Sequence, residues 1–137
     1  GFFPWLAGFA MMVVAAGVTL AMVFQLAHVV EETHFADMRH ESTFESPVEW
    51  AIHQVKTTAN FATNSRFITW FLGGLNFQIE HHLFPKISHV HYPDISKIVR
   101  EVCDEFQLTY NDLGSFASAV QSHVRQLKNL GQVATAS

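Results

Sequence analysis

Phe2–Val30, FFPWLAGFAMMVVAAGVTLAMVFQLAHVV, decides how the rest of the chain is read. It holds no Asp, Glu, Lys or Arg, and only Thr19, Gln25 and His28 interrupt its apolar run. At about 1.5 Å per residue, ~25 residues of helix cross a hydrocarbon layer about 30 Å thick. A secretory signal would carry a basic region ahead of the apolar run and a small-residue cleavage site behind it, and neither is found here. A buried helix of a soluble protein is seldom so long and so uniformly apolar. A transmembrane helix over residues 1–30 is therefore expected. All eight Lys and Arg residues follow it, which puts the C-terminal side in the cytoplasm by the positive-inside rule. With no initiator Met and almost nothing ahead of the span, the chain is expected to be the tail of a longer protein.

Composition narrows the function classes. The 137 residues suffice for one compact unit. A net charge of −4 with no basic stripe argues against a nucleic-acid partner. The single cysteine, Cys103, excludes an internal disulfide and any Cys-x-x-Cys zinc or redox motif. Nine histidines, four of them between His81 and His91, point instead toward nitrogen and oxygen metal chemistry.

The expected fold class is all-α: one transmembrane helix, then a cytosolic helical cap. His28 closes the span, and on a continuing helix Glu31 and Glu32 lie at i+3 and i+4 from it, where a carboxylate could hold its second nitrogen. A metal ligand and a plain interfacial histidine are both open readings. Glu32–Pro47 is polar and acid-rich and reads as a solvated loop in which His34 and His40 are ordinary surface histidines. From Pro47 the apolar recurrence of Val48, Trp50, Ala51, Ile52, Val55, Ala59, Phe61 and Ala62 suggests a helix. His53, Thr57, Asn60 and Asn64 would form a polar stripe on it, facing either water or a site. Phe67–Gly74 is too short to span a bilayer, and its Trp70 and phenylalanines suit the membrane interface or a place beneath the active site. Gly73 and Gly74 permit a sharp bend or a close backbone approach.

Next comes Gln78-Ile79-Glu80-His81-His82-Leu83-Phe84-Pro85. On a helix Gln78, His81 and His82 sit at i, i+3 and i+4 and share one face. Two imidazoles and an amide oxygen converging there suit part of a metal site for Fe, Zn, Cu or Ni. Apolar residues surround the pair, and Pro85 stops the helix. A buried imidazole pair needs a ligand or hydrogen-bond partners, so a metal role and a satisfied core pair are equally open from spacing alone.

Beyond Pro85, His89 and His91 lie in a proline-bracketed connection and read as loop histidines. Asp94–Phe106 is amphipathic, with Ile95, Ile98, Val99, Val102 and Phe106 as its apolar stripe. Ser115 could cap a last helix with Phe116, Ala119, Val120, His123, Val124, Leu127 and Leu130 inward, stopped at Gly131. Three regions result: the span at 1–30, a cytosolic or interfacial segment with the histidine motif at 31–92, and C-terminal amphipathic helices with a tail at 93–137.

The eight-residue string, preceded by Trp70 and Gly74-Leu75-Asn76-Phe77, resembles the third histidine box of membrane fatty acid desaturases, in the Gln-x-x-His-His form of the front-end and acyl-lipid branch. Gln25–Glu32 is similar to the family segment that carries a histidine at the cytosolic end of the fourth membrane helix, and Gln54, Thr58, Asn60, His91-Tyr92-Pro93 and Tyr110 also look family-like. The resemblance implies an α-helical integral membrane enzyme holding two non-haem irons. His81 and His82 would be iron ligands, with His28, Gln78 and, through water, Asn60 as further candidates. It also implies an acyl-CoA or acyl-lipid substrate, a cis double bond as product, and electrons from cytochrome b5 or ferredoxin. The family's HxxxH and HxxHH boxes are absent from this chain, so it is expected to supply one part of a site and to be inactive alone. A related membrane di-iron lipid hydroxylase, or a non-catalytic membrane protein with structural histidines, are the alternative readings. A zinc hydrolase is disfavoured, because no acidic base sits beside a His-x-x-x-His pair.

Overall fold

The computed structural model describes residues 1–29, 44 and 46–135, excepting the side chains of 133–135. Glu31, Glu32, His34 and His40 lie outside the described residues. Among the described residues six α-helices carry the architecture: α1 (Phe2–His28), α2 (Pro47–Thr57), α3 (Arg66–Phe71), α4 (Gln78–Leu83), α5 (Tyr92–Glu105) and α6 (Phe116–Thr135), with a 3-10 turn at His89–His91. Among the described residues there is no strand, only an isolated parallel bridge between Asn60 and Asp112.

The 27 residues of α1 are long and apolar enough to cross a membrane. Only Val23, Leu26 and Ala27, at its C-terminal end, are buried by the rest of the chain. Leu26 packs with Phe61, Ala62 and Ala119 in one core cluster, flanked by Ile68, Leu72 and Phe116. A second cluster, Val55, Ile79, Val99 and Cys103, joins α2, α4 and α5. The imidazole Nδ1 of His123 donates to the Val29 carbonyl at 2.6 Å, tying α6 to the end of α1.

Local sequence explains the helix starts. Ser46 accepts from the Glu49 N–H at 3.2 Å ahead of Pro47, Ser65 accepts from the Ile68 N–H at 3.3 Å, and Ser115 accepts from the Ser118 N–H at 3.1 Å. Each satisfies an amide that the first turn leaves without an intrahelical partner.

Two expectations are corrected, and one, the apolar stripe of α5, is refined. Helix α2 ends at Thr57, so Asn60 and Asn64 do not continue a stripe with His53 and Thr57. Thr58 is extended, and residues 59–61 give their amides to three separate elements: Ala59 to the Ala27 carbonyl (2.9 Å), Asn60 to Asn111 (2.8 Å) and Phe61 to Asn76 (3.1 Å). Those long-range bonds outweigh the weak helix preference of Thr57, Thr58 and Asn60. Second, α5 buries Val99 and Cys103 while Ile98, Val102 and Phe106 stay exposed, lining an open apolar groove with Val48, Ile52 and Phe84. Third, α6 runs through Gly131 to Thr135, and Val124, Leu127 and Leu130 are exposed, not inward. One interior glycine costs a helix only about 1 kcal/mol.

Helix α3 leaves Phe67, Trp70 and Phe71 exposed, Trp70 at 75%. Its Ile68 and its C-cap residue Leu72 pack against the core cluster of Leu26, Phe61, Ala62 and Ala119.

Candidate metal centre

The histidine motif forms α4, six residues long. A helix this short is not stable alone, so its partners decide where its side chains point. Gln78, Ile79 and Glu80 are buried, and His81 and His82 are partly so.

His82 lies against His28, with ring centroids 5.0 Å apart, and 5.9 Å from His81. The end of α1 and the face of α4 thus bring three imidazoles together across more than fifty residues of chain. His28 also has a hydrogen bond with the Thr57 backbone. Nδ1 of His82 is 2.8 Å from Gln54 Oε1 on α2. An amide oxygen only accepts, so Nδ1 carries the hydrogen and Nε2 keeps its lone pair. Nδ1 of His81 is 3.3 Å from the Tyr92 hydroxyl, which can donate or accept. Burial first, then the fields of His28 and His81, lower the His82 pKa to about 4. The ring is neutral at pH 7, as metal ligation requires.

Gln78 is 2% exposed, and its Nε2 is buried without a hydrogen-bond partner. Among the described residues, no three His, Cys, Asp or Glu side chains converge closely enough to hold an ion by themselves. The donor set therefore fits part of a metal shell: three imidazoles, of which His82 has Nδ1 occupied and Nε2 open, with no carboxylate among them.

Asn60 is buried beside Glu80. Its Oδ1 accepts from the Ile79 N–H at 2.9 Å, and its Nδ2 donates to Glu80 Oε2 at 2.7 Å and to the Tyr110 hydroxyl at 2.6 Å. The Tyr110 hydroxyl in turn donates to Glu80 Oε1 at 2.7 Å. Burial raises the Glu80 pKa against the hydrogen bonds from Tyr110 and Asn60, and burial together with the Glu80 charge pushes the Tyr110 pKa up. Arg100 lies 4.6 Å over the Tyr110 ring and pairs with Asp112 at 2.8 Å. His89 and His91 are exposed on the 3-10 turn, and His53 lies 5.1 Å from the ring of Phe44.

Sequence reasoning assigned no role to Glu80, Tyr110 or the Tyr92 hydroxyl, and it noted Gln54 without a partner. The partners are 11 to 50 residues apart, beyond any local spacing rule. The one local signal was Glu80 itself, a carboxylate within an apolar run.

A family model described as fatty acid desaturase matches residues 1–114. The sn-1 linoleoyl-lipid 6-desaturase of Synechocystis sp. is 47% identical over 116 residues, which cover 85% of this chain and 32% of that protein. The protein of the same name from Arthrospira platensis is 45% identical over 114 residues, 83% of this chain and 30% of its own length. The acyl-lipid (8-3)-desaturase B of Dictyostelium discoideum is 42% identical over 121 residues, 82% of this chain and 26% of its own. The chain spans about a third or less of the length of these curated relatives. No solved structure matches.

Proposed function

Because the chain belongs to the fatty acid desaturase family, we propose that it supplies the third-box part of an O2-dependent desaturase that introduces a cis double bond into an acyl chain. The observation that carries this reading is the meeting of His28, His81 and His82, each from a separate stretch of sequence or a separate face position. Imidazole nitrogens suit iron. His81 and His82 would hold it with His28, and Gln78, on the same face, is a further candidate. Bound iron would support the reduction of O2 to two waters, with two hydrogen atoms (two electrons and two protons) from the acyl chain, two protons from solvent, and two electrons from an external donor, for which cytochrome b5 and ferredoxin are the candidates. The chain's own work is to aim and shelter the nitrogens. Gln54 orients His82, Tyr92 stands beside His81, and the packing of Val55, Ile79 and Val99 keeps water from the back of α4.

The relatives are named for acyl-lipid substrates, which favours an acyl-lipid over acyl-CoA here. Helix α1 would span the bilayer with the rest on the cytoplasmic side, and the aromatics of α3 would sit at the interface where Trp is favoured. The remaining iron ligands would come from boxes outside these residues.

Expression of the intact protein in a host lacking the corresponding unsaturation tests the reading. Gas chromatography of fatty acid methyl esters is expected to show a new cis double bond that needs oxygen. Unchanged lipids together with purified protein free of iron would overturn it, and a hydroxylated acyl product would replace desaturation by hydroxylation. Within the site, Gln54→Leu removes the acceptor from His82 Nδ1–H. Loss of such a partner costs about 10- to 100-fold in metal affinity, and a metal titration of the variant is expected to show a loss in that range.

A further inference from the structure

We propose that Asn60, Glu80 and Tyr110 form a clamp that sets the rotation of the histidine-box helix, with Asn60 acting as a positioning residue and not as a metal ligand. The proposal rests on the metal reading above and adds what aims the ligands.

Helix α4 has two deficits of its own. It is six residues long, and Phe77 at its N-cap offers no side-chain acceptor. Asn60, nineteen residues earlier, supplies that acceptor by taking the Ile79 N–H at 2.9 Å. This fixes the orientation of the Asn60 amide: with Oδ1 engaged, Nδ2 must face Glu80 and Tyr110.

The hydrogen count then closes. Two amide hydrogens of Asn60 go to Glu80 Oε2 and to the Tyr110 oxygen, and the Tyr110 hydrogen goes to Glu80 Oε1. Asn60 and Glu80 are both 0% exposed. Both amide hydrogens and the Oδ1 of Asn60 are thus engaged within the protein. Asn60 is itself anchored by its backbone, through its N–H to the Asn111 carbonyl (2.8 Å) and its carbonyl to the Leu113 N–H (2.9 Å).

Residues of an α-helix follow one another about 100° around the axis. Taking Glu80 as the origin, His81, Gln78 and His82 fall at about 100°, 160° and 200°. The three candidate ligands thus occupy the face opposite the clamped carboxylate. Pinning Glu80 pins their direction, and a rotation of α4 by a fraction of a turn would carry both imidazoles off the point that His28 approaches.

The test uses the full-length protein and cobalt(II) alone as probe, whose visible d–d bands report ligand geometry without turnover. Glu80→Gln replaces one accepting oxygen by an NH2 that faces a group already donating there, Asn60 Nδ2 or the Tyr110 hydroxyl, and Tyr110→Phe deletes two bonds of the ring, one to the carboxylate and one from Asn60. Thermal unfolding is followed in parallel. Both variants, measured below their unfolding transitions, are expected to bind cobalt about tenfold more weakly, the low end of the range for groups that orient ligands, with shifted bands. If Glu80→Gln does not fold, Tyr110→Phe carries the same expectation. Folded variants with unchanged affinity and bands, and only a lower melting temperature, would overturn the clamp. Wild-type protein that binds no cobalt would overturn the metal reading and the clamp with it.

Discussion

His82→Ala in the intact protein is expected to reduce double-bond formation to the background of the host, a loss of at least about a thousandfold, or about 4 kcal/mol of barrier. Bound iron is expected to fall with it. Three features concentrate the effect at this residue. Its ring lies between those of His28 and His81, and Gln54 fixes its Nδ1, so no neighbour can substitute for its Nε2. Its burial in neutral form is a cost that the fold carries without ligand, so its removal should lower stability little while activity disappears. His91→Ala is the matched control: that imidazole is exposed on the 3-10 turn, and its loss should leave lipid unsaturation near the wild-type level. Methyl-ester analysis and metal analysis of the two purified variants decide the matter. An active His82→Ala protein would return the box to the status of a structural histidine pair.

The parts of this site legible in the sequence are those that local periodicity can carry. The span of α1, the shared face of Gln78, His81 and His82, and the amphipathic register of α5 depend on residues three or four apart. The hub at residues 58–62 was not legible. Its apolar residues recur as they would on a helix, yet Ala59, Asn60 and Phe61 each bond to a different distant segment. Asn60 shows why this matters for function. The resemblance implies a candidate water-mediated ligand, and in the structure its amide bonds to Ile79, Glu80 and Tyr110, partners 19 to 50 residues away. Composition gave no hint of that, because the deciding fact is the direction of one amide. Similarly, the apolar stripe of α5 was recognised but not which edge of it would be covered, since a stripe records apolarity and not what lies opposite it.

Gly74→Ala is expected to destabilise the fold by about 3 kcal/mol or more, from two effects that can be separated. Gly74 has φ of +80°, in the left-handed region, where an L side chain costs about 1–2 kcal/mol. A Cβ there would also stand 2.5 Å from His89 Cβ, an atom fixed to the backbone of the 3-10 turn that cannot swing aside. Neither segment can retreat easily. The Gly74 N–H bonds to the Thr69 carbonyl at 2.8 Å, and its own carbonyl accepts from Phe77 at 3.0 Å, immediately ahead of the box helix. The clash would therefore be relieved by moving α4 or the 3-10 turn, and α4 carries the imidazoles. Gly73 provides the comparison: its φ is +58°, but an added Cβ meets nothing within 4 Å. Gly73→Ala should cost only the backbone preference, about 1–2 kcal/mol. In thermal unfolding of the purified intact protein, Gly74→Ala should lie clearly below Gly73→Ala. Adding His89→Gly should recover the steric part of the Gly74→Ala loss and leave the backbone part. Equal costs at the two glycines, with no recovery from His89→Gly, would mean that the approach of the 3-10 turn to the bend does not help to hold the box helix in place.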